Sequence, residues 1–166
     1  AALRLQRSVA AESRGVAVAL NDLAAVQRAR GRRRAEVVLH RATLAVSERL
    51  VAADAIKAGD PEIAFYQNNL GAALLETGVP GAAEGSLRRG LEIRRAAFDA
   101  TNPRHPSTVS TAGWLVSCLL VLDLVEGGGA RQDEARRLCD AYGLDWDKQM
   151  RLAEGYAAVA RGEGER

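Results

Sequence analysis

Two asparagines, Asn21 and Asn68, are the side chains whose type and spacing point most directly to recognition chemistry. They head similar runs, Asn21-Asp22-Leu23-Ala24 and Asn68-Asn69-Leu70-Gly71, 47 residues apart. A primary amide offers both a donor and an acceptor, which is what an extended peptide backbone needs in return. The competing use of such an amide is a hydrogen bond to a neighbouring helix, and spacing alone leaves both open.

The other reactive residue types form no constellation. His40 and His105 are isolated, with no partner expected at ligand spacing, which argues against a metal site or a catalytic pair. Cys118 and Cys139 have neither CxxC spacing nor an adjacent histidine. They are read as reduced core thiols, with a disulfide as the alternative. Gly127-Gly128-Gly129 lacks the Lys-Ser/Thr of a phosphate loop and reads as a flexible turn. Arg28, Arg30, Arg32, Arg33 and Arg34 crowd one helix end. With no aromatic interleaved, the cluster reads as a solvated turn, cations being favourable at a helix C-terminus, and nucleic acid is not expected as a partner. No enzymatic activity and no cofactor follow from these residues.

Composition sets the kind of core. Apolar residues make up 48% of the 166 residues and aromatics only 4%, so close-packed Ala, Leu and Val side chains must fill the interior. The longest apolar stretch, Gly113 to Leu122, is about half of what a bilayer crossing needs and reads as a buried helix. Net charge is +2, yet residues 1–50 hold ten arginines against four acids while the remainder is acidic, a polarity able to orient a partner. The chain opens at Ala1 and is read as an excised piece of a longer, bacterial, cytoplasmic protein.

Periodicity and punctuation give the elements. Leu3, Leu5 and Val9 suggest a helix over residues 1–14, broken at Ser13-Arg14-Gly15, as the remnant of a preceding unit. A helix over 16–30 follows, with Leu20, Leu23, Ala24 and Gln27 on one face, then a turn at Gly31. The next helix, 33–57, is expected to face inward with Ala35, Leu39, Ala42, Val46 and Leu50. Asp60-Pro61 opens a helix to 77, Gly78-Val79-Pro80-Gly81 makes a turn, and a helix over 82–100 follows. His105-Pro106 opens a helix, 107–123, that is apolar nearly all round and hence buried on both sides. Helices over 131–143 and 146–161 complete the chain, the last a cap. Leu23, Leu70, Leu74, Leu87, Leu115 and Leu119 are the expected core.

Self-similarity at this period marks stacked helix pairs. The run Asn68-Asn69-Leu70-Gly71, Leu74, Gly78, Ala83, Leu87 and Gly90 resembles the tetratricopeptide repeat, in the longer variety of kinesin light chains. Asp60-Pro61 and His105-Pro106 resemble the Asp/His-Pro that opens its units. The resemblance implies an all-α, right-handed stack of antiparallel helix pairs: repeats over 16–58, 60–101 and 105–143, then a capping helix over 145–161. It implies a non-catalytic scaffold that binds a protein or peptide in a concave groove, here Asn21, Arg28, Phe65, Asn68, Leu75, Glu76, Ser117 and Leu120. No Lys or Arg stands where chaperone-type members clamp a terminal carboxylate. The alternative is an intramolecular module regulating an effector domain outside this chain. No membrane partner is expected, but an apolar edge at the N-terminal end invites a homodimer.

Overall fold

The computed structural model describes residues 2–163, with side chains from Ser13 onward. Its helices are α1 (Ala2–Ala29), α2 (Arg33–Ala52), α3 (Pro61–Glu76), α4 (Pro80–Phe98), α5 (Pro106–Glu126), α6 (Ala130–Tyr142) and α7 (Trp146–Ala160). Among the described residues there is no strand. Three pairs, α1–α2, α3–α4 and α5–α6, stack through α2 against α3 and α4 against α5.

Local chemistry sets the boundaries. Asp60 accepts the Glu62 N–H at 2.9 Å, and Pro61 follows at the first helical position, where its missing N–H is no loss. His105 caps α5 in the same way, its Nδ1 accepting the Ser107 N–H at 3.2 Å while its ring stacks on Phe98 at 4.0 Å. Asp145 caps α7 through the Lys148 N–H at 2.9 Å. The turn after α3 needs glycine twice over. Gly78 has φ +76°, and a Cβ there would lie 3.1 Å from the Ala160 Cα of α7.

The core is built from small residues meeting large ones. A Cβ at Gly71 would come within 2.5 Å of Leu87 Cγ, so only glycine lets α3 and α4 approach this closely. Leu74, Leu75, Leu87, Leu115 and Leu119 are all at most 3% exposed. The helix α5, with mean hydropathy 1.8, is long and apolar enough to cross a membrane. Its burial among α3, α4, α6 and α7 accounts for that composition.

Four expectations are corrected. The chain does not break at Ser13-Arg14-Gly15: α1 runs through them, because a lone glycine costs a helix only about 1 kcal/mol and no proline blocks it. The side chains of Leu3, Leu5 and Val9 lie outside the described residues. Leu23 is 45% exposed where burial was expected, because its face is the one that would stack on a preceding pair. Leu70, its counterpart one repeat later, is buried against the pair before it. The inward face of α2 is shifted by one residue: Glu36, His40, Thr43, Ser47 and Leu50 are buried, while Ala35, Leu39, Ala42 and Val46 are half-buried. The helix also stops at Ala52 and not at 57, with Asp54 turning left-handed at φ 52°.

Candidate functional site

Each repeat places its first helix in the same position relative to its partner, so α1, α3 and α5 present equivalent positions along the inner side of the stack. Val18, Phe65 and Ser110 form the first such row and all remain exposed. The second row is polar and internally engaged. Asn69 Nδ2 donates to Asn21 Oδ1 at 3.0 Å, joining α3 to α1. Thr111 Oγ1 donates to Asn68 Oδ1 at 3.0 Å, joining α5 to α3, and the buried Arg94 donates to the same Thr111 oxygen and to the Ser107 carbonyl. Burial holds the Arg94 pKa below its ordinary value. Both singled-out asparagines thus bond to neighbouring helices, and Asn68 is only 9% exposed.

At the far end of the groove the expected lining is covered. Leu75, Ser117 and Leu120 are at most 2% exposed, because α7 folds over the inner side of α5 and reaches α3. Gln149 Oε1 accepts the Ser117 hydroxyl at 2.8 Å, Ala153 and Ala157 are wholly buried, and the Tyr156 ring lies 6.1 Å from Trp114. The expectation that these three residues face an open groove is corrected: they seat the last helix.

Arg28 and Glu76 are likewise partners of one another. Arg28 pairs with Glu76 and lies 3.7 Å from Glu36, while Arg33 reaches Glu36 at 3.1 Å and Glu76 at 2.9 Å. This four-residue lattice neutralises Glu36, which is wholly buried, and ties the first turn to α3. His40, expected to stand alone, has Nε2 3.9 Å from Glu36 Oε1. Burial, more than any neighbouring charge, pulls its pKa below 6.5. Among the described residues, Arg30, Arg32 and Arg34 make no ion pair, and they form the solvent-exposed part of the basic turn.

What stays open is a cleft of about 240 Å³ between α5 and α7. Val109, Ser110, Trp114, Leu144, Leu152 and Tyr156 line it, with Lys148, Ser117 and Gln149 supplying polar groups. Of the expected groove residues, only Ser117 lines this cleft; Phe65, 45% exposed, lies outside it on α3. Lys148, Leu152 and Tyr156 were not legible as site residues, since nothing local in the last helix says that it swings inward. Cys118 and Cys139 are both free, buried and outside the lining of this cleft, burial pushing the Cys118 thiol up to about 12. The arrangement suits apolar side chains with polar anchoring.

A layered stack of antiparallel helix pairs with a polar-rimmed apolar cleft on its inner side defines a helical-repeat protein. The tetratricopeptide repeat model matches residues 16–54 and 66–107, and the chain belongs to that family. The matches cover the first pair and most of the second, the region where the repeat is plainest. No curated protein and no solved structure matches the chain.

Proposed function

We propose that this domain is a non-catalytic scaffold that holds a peptide segment of a partner protein in the cleft between α5 and α7. Tetratricopeptide repeats mediate protein–protein interactions in general, which supports the class of function. The observation that carries the finer reading is the cleft itself. It is apolar, partly aromatic and open, with Leu152 40% exposed beside Trp114 and Tyr156. Apolar side chains of a ligand enter there, and Ser110, Lys148 and Gln149 meet its backbone or an acidic group. The reduced state of two buried thiols fits a cytoplasmic setting.

A displayed peptide library selected on this domain tests the reading. Binders should lose affinity at least about tenfold with Leu152→Glu and with Ser110→Arg, both exposed positions where the helix itself tolerates the change. Binders indifferent to both, yet weakened by Arg30→Glu and Arg32→Glu, would move the site to the basic turn.

A further inference from the structure

Gln149 lines the α5–α7 cleft although it is only 8% exposed, so its amide lies deep in the floor. One end of that amide is engaged: Oε1 accepts the Ser117 hydroxyl at 2.8 Å. The bond fixes the amide plane and turns Nε2 away from Ser117, toward the backbone of Gly113. A Cβ at Gly113 would lie 3.6 Å from Nε2, so the glycine leaves the donor uncovered on that side. Among the described residues Nε2 has no acceptor. A ligand that fills the cleft without bringing an acceptor strands this donor, and a buried polar group left unpaired weighs heavily against binding.

The neighbouring hydroxyl narrows the choice. Ser117, 2% exposed, gives its one proton to Gln149, so toward a ligand its oxygen can only accept. The floor therefore presents a donor, Gln149 Nε2, beside an acceptor, Ser117 Oγ. A carboxylate suits the first and is repelled by the lone pairs of the second. An ammonium fails in the opposite sense. A primary carboxamide carries an acceptor and a donor on one carbon and suits both. The walls above are apolar, formed by Trp114, Leu144 and Leu152. A main chain with its flanking side chains cannot descend into a cleft of about 240 Å³, whereas a single side chain can. Lys148 is exposed at the rim and contributes no charge to the floor.

We propose that the floor of the cleft is a subsite for a primary carboxamide, supplied by an Asn or Gln side chain of the bound peptide. Gln149 is the residue that reads it. The source of the carboxamide rests on the peptide reading above; the chemistry of the subsite does not.

Proton–nitrogen correlation NMR of the intact 166-residue chain tests the subsite with three small probes. Hydrocinnamamide joins an aromatic ring to a carboxamide, benzylacetone keeps only the acceptor, and hydrocinnamate carries a carboxylate. The amide should shift the Gln149 side-chain signals and bind at least about tenfold tighter than either of the others. Gln149→Met keeps the length of the side chain and should reduce that preference below about twofold. Gly113→Ala, whose methyl makes only ordinary contact, should keep the fold and weaken the amide probe by covering the donor. A preference for the carboxylate or the ketone overturns the assignment. So does an amide preference that survives Gln149→Met, or the absence of any shift at Gln149. Selected peptides separate this result from the peptide reading. Binders that need Leu152 yet carry neither Asn nor Gln overturn the subsite and leave peptide binding standing. An amide probe that docks as expected on a domain yielding no peptide binders upholds the subsite and removes the peptide as its source.

Discussion

The first and second helix pairs have the same plan and different interiors. Between α3 and α4 the inward positions of the second helix are Ala83, Leu87 and Gly90, all buried, and Leu87 fits over Gly71. Between α1 and α2 the same three positions hold Glu36, His40 and Thr43, also buried. The hydroxyls are satisfied within the helix, Thr43 donating to the Leu39 carbonyl at 3.0 Å and Ser47 to the Thr43 carbonyl at 3.1 Å. Glu36 is held by Arg33 and Arg28, but Glu36 Oε1 and His40 Nδ1 have no hydrogen-bond partner. The repeat therefore tolerates a polar seam where an ion-pair lattice from neighbouring helices neutralises it. Elsewhere it relies on apolar contact, which is worth more per residue because no charged or polar group has to be desolvated.

The contrast is broken most forcefully at Leu87. Leu87→Ala removes a fully buried side chain from the dense second pair and should cost about 2–5 kcal/mol. The matching change in the first pair, His40→Ala, should cost clearly less, because the side chain removed carries an unsatisfied buried nitrogen. Urea unfolding of both variants checks this, and equal losses would mean that the two interiors are energetically alike. A smaller effect is expected from Gly71→Leu, which has to displace Leu87 and should destabilise by ~1–3 kcal/mol. An unchanged midpoint would show that α3 and α4 can move apart at little cost.

Why one pair was legible in the sequence and the other was misread by one residue follows from the same contrast. Pro61, Gly78 and Pro106 are backbone-specific residues, so the boundaries of α3, α4 and α5 are close to those implied by their positions. In α2 the series Ala35, Leu39, Ala42, Val46 has ideal apolar spacing, and burying Glu36 and His40 instead contradicts every single-residue preference. The charges that make this acceptable come from Arg28 on α1 and Arg33 at the start of α2, and the lattice closes through Glu76 on α3. Arg33 stands three residues before Glu36, but no local window also contains Glu76, which closes the lattice. The inward swing of α7, which covers Leu75, Ser117 and Leu120, is tertiary in the same sense: the amphipathic pattern shows that the helix has an apolar face but not which groove receives it.

The finest test of the polar seam is its response to pH. His40 is buried and desolvation lowers its pKa, with Glu36 raising it and Arg28 lowering it to a smaller degree. In the unfolded chain the imidazole titrates near its ordinary 6.5, so below that pH the unfolded state binds more protons than the folded one. Stability must therefore fall as pH drops through about 6.5 and level off once His40 also protonates in the folded state. No counterpart exists in the second pair, where Leu87 occupies the equivalent position. The effect should be local: between pH 7 and 5.5 the amides of α2 should lose more hydrogen-exchange protection than those of α4, after correction for the intrinsic exchange rate. His40→Leu, which restores the residue type of the second repeat, should abolish that difference and raise stability slightly by removing the unpartnered nitrogen. A wild-type α2 as indifferent to pH as α4 would mean that the seam opens enough to hydrate the imidazole.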